Sequence, residues 1–413
     1  MDVKQQHTAL QRMAQDKAQC GMGTSYQEVP AIEAPPLVAE LIQNHAPVAF
    51  GVSGGKDSSA MALATTAYLD QMGHQGPRIL IHSDLGRVEW AESLPMCQRL
   101  ADRLGIELIV VRRQAGDLLD RWCTRWHNNV ARYAQLSCVK LILPWSTASM
   151  RFCTSELKTA IICRELVQRF PGQTILSVAG LRADESPLRA KLPVLMPQAR
   201  LTSKTLQTTG YNWHPLLPWS LQDVLCCHQL ARFPLHEAYT TYGSSRVSCA
   251  FCMLGSRADL IASSACPDNQ AIYRAMVELE ITSTFSFQEQ QWLGDVAPHL
   301  LPQEIREQLH EAKGRARQRE RIEARIPRHL LYSKGWPLGM PTYAEAILLS
   351  EVRREIAALL QLSIGYTEPD AILERYHELL LARPLAQQQR PEQRAPIQHC
   401  LWDEHDGERM YAV

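Results

Sequence analysis

The chain has 413 residues with 43 basic and 43 acidic side chains, so its net charge is zero and no global field draws it to nucleic acid or to a membrane. An apolar content of 46% and a charged content of 21% are typical of a globular protein, and the length allows two or three domains. No apolar run reaches the length of a membrane span, and the first residues lack the apolar core of a secretory signal. We therefore expect a cytoplasmic protein whose twelve cysteines are reduced thiols, some of them in metal or catalytic roles.

Short apolar runs alternate with helical patterns over the first half of the chain. After a helical lead-in at 1–45, the patterns predict strands at 47–52, 78–82, 107–111 and 174–179, with helices at 58–72, 90–104 and 155–170. This alternation predicts an α/β fold with a doubly wound parallel sheet, in which ligands bind beyond the carboxyl ends of the strands.

The second half of the chain is helical in pattern from about residue 270. Thr342 and Glu345 form a capping box that opens a helix to about residue 360, and another helix is predicted at 371–381. We therefore predict a sheet domain at 46–268 with a cysteine site, a helical domain at 269–386 and a flexible tail at 387–413.

The first predicted strand runs directly into a glycine-rich loop, Ser53-Gly54-Gly55-Lys56-Asp57-Ser58-Ser59. A strand, a glycine turn and a helix N-terminus together form an anion site, because backbone N–H groups and the helix dipole both favour negative charge there. Two glycines let a phosphate approach the backbone, while Lys56 and the serine hydroxyls supply further donors. The spacing differs from that of the Walker loop. Lys56, Asp84 and Arg182 all follow predicted strands, so we expect them to converge at one edge of the sheet.

The cysteines include one C-x-x-C pair, Cys249 and Cys252, with Cys153 upstream and Cys266 downstream. Such thiols suit a tetrahedral thiolate site that holds either Zn²⁺ or a [4Fe–4S] cluster. The alternative is a pair of buried thiols or a redox pair.

The loop resembles the pyrophosphate loop (PP-loop) of the ATP pyrophosphatase superfamily, and residues 46–256 resemble its phosphoadenosine-phosphosulfate (PAPS) reductase family. Further strings stand in that family's order: Asp84-Leu85-Gly86, Arg151-Phe152-Cys153-Thr154-Ser155-Glu156-Leu157-Lys158, Gly180-Leu181-Arg182-Ala183-Asp184-Glu185-Ser186, Pro218-Trp219-Ser220-Leu221-Gln222-Asp223-Val224 and Pro234-Leu235-His236 to Tyr239.

The resemblance implies an enzyme that cleaves ATP with Mg²⁺ to AMP and pyrophosphate and adenylates a substrate oxygen, which a sulfur nucleophile then attacks. It implies ATP binding by residues 53–59 together with Asp84, Gly180 and Arg182, and substrate-phosphate binding by Lys158 and Arg182. Lys56, Asp57 and Cys153 are the implied catalytic residues, and Asp57 and Asp84 hold Mg²⁺ or orient the ribose.

The resemblance also bears on the cysteines. Iron–sulfur members of the family carry a Cys-Cys pair where this chain has Phe152-Cys153, so three ligands carry over: Cys153, Cys249 and Cys252. We nominate Cys266 as the fourth ligand, with Cys138 as its substitute and Zn²⁺ as the alternative to the cluster.

The branch of the family follows from what the chain keeps and lacks. It has an intact loop and no C-terminal Glu-Cys-Gly-Leu-His motif, which argues against a sulfonucleotide reductase, the first alternative. The pattern is most similar to the PP-loop proteins of bacterial DNA phosphorothioation systems (Dnd and Ssp types), which serve in anti-phage defence. That branch implies a nucleic-acid partner, DNA rather than RNA, a cysteine desulfurase or other sulfur donor, and other modification subunits. Sulfur-inserting tRNA enzymes are related, and a second alternative is an ATP-binding regulatory subunit of a defence complex.

One segment of the helical region is strongly basic. Residues 313–328 contain seven basic and two acidic side chains. The segment is either a solvated helix face or a contact surface for a phosphate backbone.

Overall fold

The computed structural model describes residues 31–382 of the chain. Most of the predicted lead-in and all of the predicted tail at 387–413 therefore lie outside the described residues. The described chain divides into two compact units. The sheet unit comprises residues 31–119 and 146–273, and the helical unit comprises residues 120–145 and 274–382. Residues 120–145 thus leave the sheet unit in the middle of the chain and cluster with the C-terminal helices.

A six-stranded sheet forms the centre of the sheet unit, with the strand order β3-β2-β1-β4-β6-β5. Its strands are β1 (Val48–Val52), β2 (Arg78–Asp84), β3 (Glu107–Arg112), β4 (Thr174–Ala179), β5 (Leu195–Pro197) and β6 (Thr209–Trp213). Every pairing is parallel except that of β5 with β6. Because the chain runs outward from β1 in one direction to β2 and β3 and in the other to β4, the topology reverses between β1 and β4. The predicted fold class, a doubly wound and mostly parallel sheet, is confirmed.

Each face of the sheet has its own apolar layer. Val48, Phe50 and Val52 of β1 point into one core cluster, and Ala49 points into the other. The first layer is covered by α1 (Pro36–Gln43), α2 (Lys56–Gln71), α3 (Ser93–Leu104) and α6 (Leu221–Leu230). The second layer is covered by α5 (Ala160–Arg169), which contributes Cys163 and Leu166. Burial of both faces explains why the strands are continuous apolar runs.

Local signals set the helix ends where the sequence predicts them, with two exceptions. Gly105 ends α3 in the left-handed region at φ 63°, as predicted. However, α3 begins at Ser93 and not at Trp90, because residues 90–93 form a turn in which the Ser93 N–H donates to the Trp90 carbonyl oxygen. The predicted helix at 155–170 begins as a π-helical turn, Ser155–Thr159, before α5. Such π turns are frequent at functional sites.

The helical unit contains α9 (Gln303–Glu323), α10 (Tyr343–Leu360) and α11 (Pro369–Ala382), together with most of α4 (Leu118–Ala134) and α8 (Gln270–Ser283), each of which begins in the sheet unit. The predicted capping box is present, since Thr342 accepts from the Glu345 backbone and Glu345 accepts from the Thr342 backbone. Arg353 is 1% exposed and donates to the carbonyl oxygens of Tyr133, Ala134, Gly365 and Tyr366. This one side chain therefore ties the end of α4 to α10 and to the turn before α11. In the described part of the chain, no helix combines the length and apolarity needed to cross a bilayer.

We predict that Gly180→Ala lowers stability, because a Cβ at Gly180 would lie 2.4 Å from the Asp57 carbonyl oxygen and 3.0 Å from the Ser58 nitrogen. Both are backbone atoms at the start of α2, so the clash has no flexible side chain to absorb it. Overpacking of this kind costs about 1–3 kcal/mol, which chemical denaturation should detect as a lower midpoint.

Gly314→Ala is the matched control, because no atom lies within 4 Å of a Cβ built at this helical glycine. It should be neutral or stabilise α9 by up to about 1 kcal/mol. Equal midpoints for the Gly180→Ala variant and the wild type would contradict the prediction.

Candidate functional site

The glycine-rich loop joins β1 to α2 at the point where the sheet topology reverses. Gly54 has φ +73°, and a Cβ there would lie 2.7 Å from the Ser93 carbonyl oxygen, so this position requires glycine. Gly55 is the N-cap of α2 and has no side chain to cap the helix, while the Lys56 N–H at the first helical position donates to the Tyr239 hydroxyl at 3.2 Å. Ser58 Oγ receives the Ser53 N–H at 3.3 Å and donates to the Gly55 carbonyl at 2.9 Å, which holds the turn closed. The result is a tight loop at the N-terminus of α2.

Lys56 is the first residue of α2, and its side chain is only 6% exposed. Its ammonium donates to the Ser245 carbonyl oxygen at 3.1 Å, lies 3.3 Å from Asp57 Oδ2, and sits 4.7 Å above the centre of the Tyr239 ring. Burial would lower the pKa of Lys56, but Tyr239 and Asp57 raise it above its ordinary value. Lys56 therefore stays charged at neutral pH.

A second cation, Arg182, completes a buried charge cluster with Lys56 and Asp57. Arg182 is 2% exposed, and it follows β4. Its Nε donates to Asp57 Oδ1 at 2.6 Å, and its Nη1 donates to Asp184 Oδ2 at 2.6 Å. Burial would raise the pKa of Asp57, but Lys56 and Arg182 hold it below its ordinary value. The predicted convergence of Lys56 and Arg182 at one edge of the sheet is thus present.

Asp84, at the end of β2, has partners of its own. It accepts from the Gly86 N–H at 2.7 Å and from Arg112 Nη2 at 2.5 Å. Asp57 and Asp84 are the carboxylates that the sequence offered for Mg²⁺, and both pair with arginine here. Across the described residues, no group of three or more His, Cys, Asp or Glu side chains is arranged to hold a metal ion.

His82 links the strand ends to the cysteine segment. It is 1% exposed and bonds through Nδ1 to the Val52 carbonyl at 3.0 Å and through Nε2 to Glu89 at 3.1 Å. Burial would lower the pKa of His82, but hydrogen bonds with Cys97 and Glu89 raise it to about 10. Glu89 in turn forms an antiparallel backbone bridge with Cys249.

Cys249 has two other predicted ligands, Cys252 and Cys153, as electrostatic neighbours. Burial raises the pKa of the Cys249 thiol, and the neighbouring thiols of Cys252 and Cys153 raise it further, while the Lys158 ammonium opposes them. Cys153 follows Phe152, which is 1% exposed, in the short helical turn before the π segment. The chemistry of this donor set fits a thiophilic metal, although the described side chains are not assembled into a closed site.

Each candidate for a fourth ligand has a polar neighbour in its own unit. Cys266 is 2% exposed at the end of α7 (Arg257–Ala265), and its thiol is hydrogen-bonded to Tyr242. Cys138 belongs to the helical unit, where its sulfur accepts from Asn129 Nδ2 at 3.7 Å.

Two contacts in the site were missed by sequence reasoning. Tyr239 is the last residue of the segment 234–239 that resembles the family, yet nothing in that segment shows that its hydroxyl contacts Lys56. Ser245 acts through its backbone carbonyl, which leaves no trace in a sequence. The sequence does carry a signal for the carboxylate that holds Ser245. Ser256 and Asp259 match a capping box, and both of its hydrogen bonds are present.

The buried hydroxyl of Ser59, at the end of the glycine-rich loop, also fits a site for a nucleotide phosphate. Ser59 is 1% exposed, and its hydroxyl has no hydrogen-bond partner within residues 31–382. Buried hydroxyls are normally satisfied, so an unpartnered hydroxyl in the first turn of α2 is consistent with a ligand that supplies acceptors.

The basic segment at 313–328 lies along the C-terminal half of α9 and beyond it. Arg319 is 2% exposed and stacks on the Phe285 ring at 3.4 Å, Lys313 pairs with Asp295, and Arg325 pairs with Glu351 and Glu355. Exposed side chains remain at Arg317, Arg321 and Arg328. The accessible charge is therefore smaller than the sequence count suggests.

Comparison with curated proteins gives no significant match. Among solved structures, the chain is similar to a PAPS reductase from Candida auris in its phosphate complex, with 12% identity and a TM-score of 0.33, over 53% of this chain and 98% of that one. It is also similar to the U34-tRNA thiolase NcsA from Methanococcus maripaludis with its [4Fe-4S] cluster, with 16% identity and a TM-score of 0.34, over 63% of this chain and 87% of that one. Likenesses this distant carry no conclusion about activity.

The family comparison is more direct. Residues 47–253 match the model of the phosphoadenosine phosphosulfate reductase domain, which is half of the chain. The matched range begins one residue before β1 and ends one residue after Cys252, so it contains the loop, the charge cluster and the C-x-x-C pair. The chain belongs to the phosphoadenosine phosphosulfate reductase domain family of PP-loop proteins.

Proposed function

We propose that the chain cleaves ATP between the α and β phosphates and transfers the adenylyl group to a substrate oxygen. The observation that carries this proposal is the complete phosphate loop with a buried, charged Lys56 at the N-terminus of α2. The loop amides and Lys56 stabilise the negative charge that develops on the leaving pyrophosphate. The bond from the α-phosphorus to the α–β bridging oxygen breaks as the bond to the acceptor oxygen forms, and pyrophosphate leaves.

The charge cluster has a distinct task in this reaction. Asp57 lies between Lys56 and Arg182, so it fixes both cations in place before a nucleotide arrives. Preorganised charges need no reorganisation when the transition state forms, and this is the main source of electrostatic catalysis. Mg²⁺, when bound with ATP, would neutralise phosphate charge, and Asp84 is the carboxylate best placed to assist, at the end of β2.

Lys56→Ala should lower the rate of AMP and pyrophosphate formation by about two to three decades, the usual effect of removing one oxyanion-type donor. Asp57 keeps Arg182 as a partner in this variant, so the unit should still fold. Lys204→Ala, which removes an exposed lysine of the sheet unit, is the matched control and should keep the wild-type rate. ADP and phosphate as products would contradict the proposal, and sulfite released by a thiol reductant would favour a sulfonucleotide reductase instead.

We further propose that the adenylated substrate receives sulfur and that Cys153, Cys249 and Cys252 hold a [4Fe–4S] cluster, with Zn²⁺ as the alternative. The influence of the Cys252 and Cys153 thiols on the pKa of Cys249 supports it, together with the C-x-x-C spacing. The cluster would supply a site for sulfide or for thiolate redox chemistry. The residues of the chain provide the donors, and Lys158 provides a positive charge beside them.

Protein purified without oxygen should show broad visible absorption and contain iron and acid-labile sulfide. Serine at Cys249 or Cys252 should abolish the absorption without shifting the unfolding midpoint of the sheet. Cys123→Ser, in the helical unit, is the control and should leave the absorption unchanged. Colourless protein with one equivalent of zinc would replace the cluster by a thiolate zinc site.

We propose a nucleic acid as the acceptor, DNA rather than RNA, with a cysteine desulfurase or other donor supplying the sulfur. The specific process that we propose is DNA phosphorothioation in an anti-phage modification system, on the basis of the intact loop combined with the C-x-x-C pair. The exposed arginines of the basic segment support a weak phosphate contact surface on a chain with no net charge.

Reversal of Arg317, Arg321 and Arg328 to Glu should weaken DNA binding at every sequence and flatten its salt dependence, because each lost phosphate contact removes close to one unit of slope. The ATP cleavage rate without DNA should stay unchanged. The matched control reverses three exposed arginines of the sheet unit, Arg103, Arg169 and Arg232. Unchanged DNA affinity with loss of a co-purifying protein would assign the segment to a protein partner.

A further inference from the structure

The phosphate loop and the cysteine pair are joined by the same few contacts. We call residues 244–252 the cysteine loop; it follows the single helical turn Glu237–Thr240 and carries Cys249 and Cys252. Tyr239 lies in that turn and is 4% exposed. Its hydroxyl oxygen accepts the backbone N–H of Lys56 at 3.2 Å and that of Val247 at 3.1 Å. One oxygen therefore pins the first residue of α2 and the middle of the cysteine loop together.

The Lys56 side chain makes a second link between the same two elements. Its ammonium donates to the Ser245 carbonyl, and the Ser245 N–H donates to Asp259 Oδ1 at 2.7 Å. Asp259 also accepts from the Ser256 N–H and hydroxyl, so it is anchored at the start of α7. The cysteine loop is thus held between a fixed carboxylate and a lysine that the phosphate loop supplies.

The opposite side of the cysteine loop is attached to the strand ends. The Ala250 N–H donates to the Val88 carbonyl at 2.7 Å, beside the bridge between Glu89 and Cys249. The cysteine loop is therefore attached at residues 245–247 to Lys56 and Tyr239, and at residues 249–250 to the turn after β2.

A phosphate on the loop competes for the groups that hold the cysteine loop. Lys56 Nζ has three donors, and one of them is used on a neutral carbonyl, which is a weaker acceptor than a phosphate oxygen. Gly55 approaches the Tyr239 hydroxyl closely, since a Cβ there would lie 3.3 Å from it. A phosphate at the Gly55–Lys56 amides would compete with the Tyr239 hydroxyl for the Lys56 N–H and with the Ser245 carbonyl for Lys56 Nζ.

We infer that Tyr239 is a positioning residue that couples nucleotide occupancy of the phosphate loop to the position of the cysteine loop. The inference rests on the proposed function, in that it takes ATP to bind at residues 53–59. It adds that adenylation and sulfur chemistry are coordinated within one unit, because a ligand at one site alters the contacts that hold the other. Such coupling is reciprocal, so a change in the cysteine loop must also change nucleotide affinity.

The test uses the full-length protein, as purified, with α,β-methylene-ATP, which cannot be cleaved at the α–β position. Calorimetry measures its binding, and hydrogen exchange of peptides covering 244–252 measures the Val247 amide and its neighbours. In the wild type, saturating nucleotide should change exchange in this loop. Tyr239→Phe keeps the ring under Lys56 and removes only the hydroxyl, so basal exchange should rise about two- to tenfold, the value of one hydrogen bond, and the response to nucleotide should disappear.

Tyr211→Phe, on β6 and two strands from β1, is the matched control and should respond as the wild type does. Asp259→Ala is a second variant, which frees the Ser245 N–H and keeps Tyr239. Its change in hydrogen exchange on nucleotide binding should be smaller than that of the wild type, and a full change would exclude coupling through Ser245.

If Tyr239 is purely structural, Tyr239→Phe will raise basal exchange yet keep the nucleotide-induced change, and this result would overturn the inference. Binding to the wild type without any change in exchange overturns the coupling alone, whereas no binding overturns the proposed function and the coupling with it.

Discussion

The buried ion cluster of Lys56, Asp57 and Arg182 is the interaction on which the rest of the site depends. It joins the start of α2 to the residues that follow β4, across the place where the sheet topology reverses. Removing Asp57 would leave the buried Lys56 ammonium without its carboxylate, at a cost of about 3–5 kcal/mol. The cluster therefore fixes the phosphate loop against its neighbour strand and keeps two cations at the ligand crevice.

Gly180 makes this arrangement possible. Its lack of a side chain lets the chain after β4 pass within contact distance of the Asp57 backbone. The approach brings Arg182 under α2, where its guanidinium reaches Asp57. A residue that contributes no functional group thus decides where a charged one can lie.

The cysteine loop is attached to this cluster through Lys56, whose ammonium donates to the Ser245 carbonyl oxygen. Lys56 and Tyr239 hold one side, and the turn containing Glu89 holds the other. His82 ties that turn to the end of β1, so the phosphate loop and the cysteines share a set of buried polar contacts. Fully satisfied networks of this kind specify one geometry, because leaving any member unpaired in the interior is costly.

Much of this could be predicted from the amino-acid order, because the signals are local. The apolar runs of β1, β2 and β4, the stop at Gly105 and the capping box at Thr342 act through neighbouring residues. The glycine-rich loop after β1 also has a local meaning, since a strand, two glycines and a helix start make an anion site wherever they occur. The doubly wound sheet and the convergence of Lys56 and Arg182 followed from these signals.

Tertiary structure alone decided which distant groups meet. The excursion of residues 120–145 into the helical unit depends on contacts with α9 and α10 far along the chain, as in the bonds of Arg353 to Tyr133 and Ala134. In the sequence, Arg319 is one more charge in a basic run. In the structure it is buried against the Phe285 ring, because the helical period turns this position inward. Cys266 shares a residue type with Cys249 and Cys252, but it lies at the end of α7 beside Tyr242. Composition and spacing determine which chemistry a chain carries, whereas packing determines which of its side chains can act together.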